Sequence, residues 1–304
     1  MIFLMKELII SLLDMTAWRM DTPELFGGFH ICAALFTVAA AVCVAAGITK
    51  RIKAAEPPGK DFTGIGAGAH GKSHTDTGTE TAENDPNRKL IRILAGTGWV
   101  LVVLELYKQL FLYHVVNGGA YDWWYFPFQL CSVPMYLCIL LPLVPRGVQK
   151  TFLTFMGGYT FISAAAALIY PADMLRPYAA LTLHGFIWHG LLLFISLLIF
   201  MTGSIDPSVK GIAWAAGLFA ALSLTALMIN IAVEPLMQAA YTSDPGIFHS
   251  WAAMFYLNPY HISPQPLVGT IQKTAGIPAG LLLYSLVTAI AGSFFISLSG
   301  RKGR

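Results

Sequence analysis

Apolar residues fall into seven long runs along the chain, separated by shorter polar stretches. Each run has close to the roughly 20 residues that a helix needs to cross the hydrocarbon layer of a bilayer. Because backbone polar groups cannot stay unpaired in lipid, such runs are expected to be helical. The seven predicted spans are 29–49, 90–113, 127–145, 151–170, 182–201, 211–232 and 278–299. The pattern therefore predicts an all-α polytopic membrane protein, a bundle of seven transmembrane helices.

Two stretches do not fit the pattern of spans. The segment 1–28 begins with the apolar sequence MIFLMKELIISLLDM, and no small-residue cleavage site follows it. We interpret it as a retained interfacial segment rather than a signal peptide. The segment 54–88 is rich in Gly, Thr and charge and has almost no large apolar residues, which predicts a disordered linker within a membrane domain at 29–304. No metal site is expected in this linker, because its His70 and His74 have no further ligands nearby.

The charged residues give the bundle a direction. Charged residues make up 12% of the chain, about half of the roughly 25% typical of soluble domains. The net charge of +3 is too small and too dispersed to suggest a nucleic-acid partner. With an outside N-terminus, the inner segments hold thirteen Lys and Arg residues and the outer segments four. The positive-inside rule therefore predicts an outside N-terminus, an inside C-terminus and a cytoplasmic linker, for a multi-pass protein of the cell membrane.

The third run, FPFQLCSVPMYLCILLPLVP, concentrates its polar atoms at one end. Gln129, Cys131 and Ser132 lie there, between Pro127 and Pro134. With the predicted orientation, this end faces outward. These three side chains are therefore expected in the outer third of the membrane.

Other polar groups fall at a similar depth. Glu105 and Lys108 are three residues apart in the second run, so they share one helix face. Lipid exposure would cost each about 2.5–3.5 kcal/mol, so they should face the bundle interior, either as a structural ion pair or as part of a site. We expect one outward-opening cavity, lined or bordered by Glu105, Lys108, Gln129, Cys131, His184, His189, Asn230 and Asn258, with Ser132 and Tyr260 as further supporting residues.

A thiol near a histidine provides the minimum for a thiolate nucleophile, because the imidazole can take the thiol proton. Cys131 would then be the nucleophile, and a carboxylate such as Glu105 could orient the base. Depth favours His184 as the base, with His189 bonded within the cavity to Glu105 or Lys108, although His189 remains an alternative base. The competing interpretation is that Cys131 is a small apolar residue and that the histidines only pack.

Three strings carry a resemblance to a known family: FPFQLCSVPMYLCILLPL, LHGFIWHGLLLF and FYLNPYHISPQPLVG. In order and spacing they resemble the YwaF-type bacterial integral membrane proteins, whose eukaryotic relatives are the transmembrane protein 164 acyltransferases. The resemblance covers roughly residues 25 to 300, apart from the linker. It implies a Cys acyl-enzyme and transfer of fatty acyl chains between glycerolipids. The family's PLHLCS-like string is PFQLCS here, so Gln129 stands where the family has His.

Two functions of different classes follow from these observations. The first is an intramembrane lipid acyltransferase or esterase that acts on the acyl chains of membrane glycerolipids and needs no cofactor or metal. The second is a non-enzymatic heptahelical carrier or ligand-binding protein, in which the same polar groups would hold a small polar solute. No inverted repeat of the usual transporter kind is apparent in the sequence, which favours the first.

Overall fold

The computed structural model describes residues 2–54, 86–243, 249 and 251–300. The predicted linker at 54–88 lies outside the described residues except at its two ends. Ten α-helices are described: α1 (Ile2–Asp14), α2 (Gly28–Ala54), α3 (Pro86–Phe111), α4 (Val133–Leu140), α5 (Arg146–Phe155), α6 (Phe161–Ile169), α7 (Ala179–Thr202), α8 (Val209–Ser243), α9 (Pro266–Ala275) and α10 (Ile277–Ser299). One-turn π-helices, Leu112–Val116 and Met156–Thr160, continue α3 and join α5 to α6.

The described part of the chain contains six helices that are long and apolar enough to cross a membrane. They are Gly28–Ala54, Asn87–Val116, Arg146–Ile169, Ala179–Thr202, Val209–Thr242 and Ile277–Ser299. Each coincides with one of the predicted spans. The prediction of an all-α, multi-pass membrane protein is therefore confirmed.

The third predicted span, 127–145, differs from the other six. Its helical part is the shorter apolar stretch Val133–Leu143, which ends in a 3₁₀ turn. Pro134 lies in the first turn of α4, where its missing N–H costs no hydrogen bond. The polar residues before it therefore lie on irregular backbone. Hydropathy predicted the length of the third apolar run correctly, but it carries no information on where the helix within that run begins.

Helix α7 forms the centre of the bundle. In the most apolar 18-residue stretch of α7, 61% of the residues are buried, whereas the corresponding stretches of α2 and α10 are each 11% buried. It packs against α2, α3, α6 and the π-turn Met156–Thr160. The apolar surfaces of α2, α8 and α10 remain exposed, as expected for helices that face lipid.

Contacts between neighbouring helices define the two ends of the bundle. At the first, which we call the cavity end, the Phe111 ring at the end of α3 meets Tyr178 just before α7, with centroids 5.4 Å apart. Leu13 of α1 is buried in the same cluster. At the other, the opposite end, Lys150 of α5 pairs with Asp206 after α7 at 3.1 Å.

Candidate functional site

A cavity of about 320 Å³ lies in the cavity end of the bundle, within the size range of small-molecule sites. It is bounded by α3, the segment before α4, α6, the loop before α7, α7 itself, the turn at 255–256 and α10. Seven of the ten candidate residues line it: Glu105, Lys108, Gln129, Cys131, Ser132, His184 and His189. Spans two, three and five thus contribute polar groups to one cavity.

Helix α3 contributes an ion pair to the cavity wall. Lys108 Nζ lies 2.8 Å from Glu105 Oε1. Gln109 donates both to Glu105 Oε1, at 2.7 Å, and to the carbonyl oxygen of Tyr125, at 2.6 Å. The carboxylate is buried and its negative charge is balanced by Lys108, which satisfies the requirement that buried charges be paired.

Cys131 is partly buried, on the irregular backbone that precedes α4. The indole Nε1–H of Trp188 donates to its carbonyl oxygen at 3.1 Å. The His184 ring lies one turn earlier on α7 and stacks on Trp188, with centroids 5.6 Å apart. Trp188 therefore connects the Cys131 backbone to the face of α7 that carries His184.

The two histidines of α7 are each held by one backbone carbonyl. Nε2 of His184 lies 3.1 Å from the oxygen of Leu104, and Nδ1 of His189 lies 2.8 Å from that of Gly185. A carbonyl oxygen only accepts, so the facing nitrogen carries the proton and the second nitrogen of each neutral ring keeps its lone pair. Buried His30 differs, because both of its nitrogens are engaged, by Phe26 and Leu168.

The hydrogen bonds of Glu105 and His189 differ from those that the sequence predicted. Glu105 is bonded to Lys108 and Gln109 and does not orient a histidine, and His189 bonds to its own helix rather than to α3. Within the described residues, no hydrogen bond joins the Cys131 sulfur to either imidazole. Helical geometry explains the local bond, because a side chain can reach the carbonyl four residues earlier in its own helix.

Gln129 and Asn230 support a buried turn of the segment that follows α8. Gln129 donates to the oxygen of Ala253 and accepts from the N–H of Phe255, at 2.9 and 2.8 Å. Asn230 makes the same two-way pairing with Met254, at 3.0 and 2.8 Å. Irregular backbone inside a membrane protein needs such partners, so both amides position the turn, and Gln129 also lines the cavity.

Asn258 and Tyr260 lie away from the cavity wall. The Asn258 side chain donates to the oxygen of Ala252 at 2.7 Å and accepts from the N–H of Tyr260 at 2.8 Å. The Tyr260 side chain is 54% exposed. Nearby, His261 pairs with Glu234 of α8 at 2.6 Å. These residues shape the loop that covers the cavity end.

The structure adds polar residues that the sequence did not single out. Arg176 donates to the Tyr125 hydroxyl at 3.2 Å, and Tyr256 donates to Asp173 at 2.8 Å. Burial raises the pKa of the Tyr125 phenol, although neighbouring Arg176 acts in the opposite direction. Asp173 and Arg176 lie in the short loop between the fourth and fifth runs. The sequence did contain a signal for these two residues, because charged residues are unexpected in so short a loop between two spans.

Metal-ligating side chains do not cluster in the part of the chain that the structure describes. No group of three His, Cys, Asp or Glu side chains in it is placed to hold a metal ion. The expectation that no metal or cofactor takes part stays a prediction.

The fold and the cavity define the class: a polytopic, all-α membrane protein with an internal cavity that is lined in part by polar side chains. The sequence model of the TMEM164 family matches residues 25–291, so the chain belongs to the TMEM164 family. This confirms the part of the sequence resemblance that concerned the transmembrane protein 164 relatives. Comparison with curated proteins and with solved structures found no match to either.

Proposed function

We propose that the protein is an intramembrane acyltransferase or esterase in which Cys131 carries the acyl group. Membership of the TMEM164 family, which is related to acyltransferases, supports this class of activity. The observation that carries the proposal is the composition of one cavity wall, where a thiol and two imidazoles face the same space inside an apolar bundle. Such a space accommodates both an apolar chain and the ester at its end.

In the proposed reaction, an imidazole nitrogen takes the proton of Cys131 as the sulfur attacks the ester carbonyl of a lipid. A C–S bond forms, the ester C–O bond breaks, and the imidazolium returns its proton to the leaving alkoxide. A hydroxyl of a second lipid, or water in an esterase, then attacks the thioester carbonyl. A C–O bond forms, the C–S bond breaks, and the imidazole passes the hydroxyl proton to the leaving thiolate, which restores the Cys131 thiol. Atoms and charge balance over the two steps without any cofactor.

His184 is the better candidate for the base. Its ring stacks on Trp188, whose indole bonds to Cys131, so the three groups share one side of the cavity. The lone pair of Nδ1 is free to accept because Nε2 is bonded to Leu104. Glu105 and Lys108 form a supporting pair that keeps this wall polar.

We further propose that the chain crosses the membrane seven times, with the N-terminus outside. In this proposal the third predicted span, 127–145, crosses once, although its helix is short. Contacts at both ends support it: Phe111 before the segment contacts Tyr178 at the cavity end, and Lys150 after it contacts Asp206 at the opposite end. The positive-inside rule then places the cavity end on the outer side.

The proposed function is tested with a thioester-forming acyl probe on protein purified in detergent. Labelling should occur at Cys131 and disappear in Cys131→Ala, while Cys43→Ala, a change at an exposed site on α2, should leave it intact. Labelling spread over other cysteines, or none at Cys131, would instead favour the carrier.

A further inference from the structure

Two residues of the cavity wall are exposed, and they lie on different surfaces of the bundle. Ala166 of α6 lies in a span, whereas Asp173 of the following loop lies at the cavity end, beyond α6. The cavity wall therefore comes to the surface both at the lipid-facing side of the bundle and at its cavity end.

On the side of Ala166, helices α6 and α10 both contribute to the cavity wall. The wall residues are Ile162, Ser163, Ala166 and Ala167 on α6 and Tyr284 and Thr288 on α10. Toward the opposite end the two helices are joined by Phe161 and Phe295, whose rings stack with centroids 3.9 Å apart. Three of the four α6 residues at the depth of the cavity are small, so aromatic packing of this kind is replaced there by Ser and Ala side chains.

Tyr256 lies between Asp173 and the α10 side of the cavity wall. Its hydroxyl donates to Asp173 at 2.8 Å, and its ring contacts that of Tyr284 with centroids 6.2 Å apart. Its backbone has φ 54°, a conformation that is uncommon for a residue other than Gly. The pairing of Gln129 and Asn230 with the preceding residues holds it in this place.

We propose that the cavity opens to lipid at Ala166, between α6 and α10, and that this gap, the lateral mouth, is the entrance for one acyl chain of a membrane lipid, with the polar headgroup directed to Asp173. The medium around the spans is itself hydrocarbon, so an acyl chain reaches Ala166 without leaving the bilayer. A carboxyl ester, which joins chain and headgroup, would then lie near Cys131. The proposal rests on the proposed function for the role of the lipid as substrate, but access through the gap is independent of catalysis.

Access is measured by the rate at which Cys131 is alkylated in nanodiscs of phosphatidylcholine and phosphatidylglycerol. One reagent is a long-chain alkyl maleimide that partitions into lipid, and the other is a charged, water-soluble methanethiosulfonate. Peptide mass spectrometry separates Cys131 from the other three cysteines, and unfolded protein gives the rate for the open thiol.

The decisive variant is Ala166→Trp, which places a large ring in the lateral mouth. We expect alkylation by the long-chain reagent to fall about tenfold while the charged reagent changes less than about twofold. The matched control is Ala165→Trp on the same helix, which does not line the cavity and should change neither rate. If Ala166→Trp does not accumulate, Ala166→Leu is expected to give a smaller change in the same direction.

The proposal is overturned if Ala166→Trp and Ala165→Trp behave alike, or if the long-chain reagent does not reach Cys131 in the natural protein. Failure of the proposed function would look different. The lateral route would then remain open to the long-chain reagent, whereas the acyl probe would leave Cys131 unmodified.

Discussion

Gln129 shows how one residue can have a different role from the one that its type suggests. Because Gln129 is a polar residue close to Cys131 in a predicted span, the sequence predicted that it belongs to the site, and it does line the cavity. Its amide also pairs with Ala253 and Phe255, which lie far along the chain. That role depends on a turn with positive φ at Phe255, which no local pattern in the sequence indicates.

Replacing Gln129 by Leu should therefore destabilise the protein. The N–H of Phe255 and the oxygen of Ala253 would lose their partner in a buried place, at a cost of about 1–3 kcal/mol each at most. Thermal unfolding in detergent should shift to lower temperature. The same change at exposed Gln238 of α8 is the control, and equal shifts for the two variants would contradict this role.

The two histidines of α7 can be separated by the pH dependence of acyl-probe labelling. For His184→Ala we expect Cys131 labelling near neutral pH to fall by about 10² or more, the usual contribution of a general base, and to recover in alkali where the thiol ionises unaided. For His189→Ala we expect mainly a lower yield of folded protein. If neither change alters labelling, the Cys–His mechanism is wrong.

At the scale of elements, hydropathy was sufficient for the six long spans, because a helix in lipid is determined mainly by length and apolarity. It was insufficient for the third run, where prolines delay the helix to Val133. The sequence predicted the residues of the cavity only in part. Similar depth along the spans predicted that Glu105, Cys131 and His184 would meet, whereas the loop charges and the Tyr256 turn depend on how distant segments pack.

The close packing of α3 on α4 gives a testable prediction at the scale of helices. A Cβ added at Gly98 would lie 2.8 Å from the Cβ of Cys138, whereas one added at Gly96 meets nothing within 4 Å. Gly98→Ala should therefore destabilise by about 1–3 kcal/mol through overpacking. Gly96→Ala should be neutral or stabilising, since Ala favours helix by up to about 1 kcal/mol. Thermal unfolding of both variants in one detergent tests this, and a reversed order would contradict the packing of α4 on α3.

At the scale of the whole molecule, the proposed orientation places the cavity end outside. A cysteine introduced at exposed Tyr260, at the cavity end, should react with an impermeant maleimide applied to intact cells. A cysteine at Ser208, next to Asp206 at the opposite end, should react only after the cells are opened. The reverse pattern would place the site on the inner side and overturn the depth argument.

The central claim is an acyl group on Cys131, and intact mass measurement tests it most directly. The purified protein is incubated with vesicles of phosphatidylcholine and phosphatidylglycerol and then denatured in acid. We predict a fraction with the added mass of one fatty acyl group, located at Cys131, removed by neutral hydroxylamine and absent in Cys131→Ala. An unmodified Cys131, or an adduct that persists in Cys131→Ala, would contradict the account.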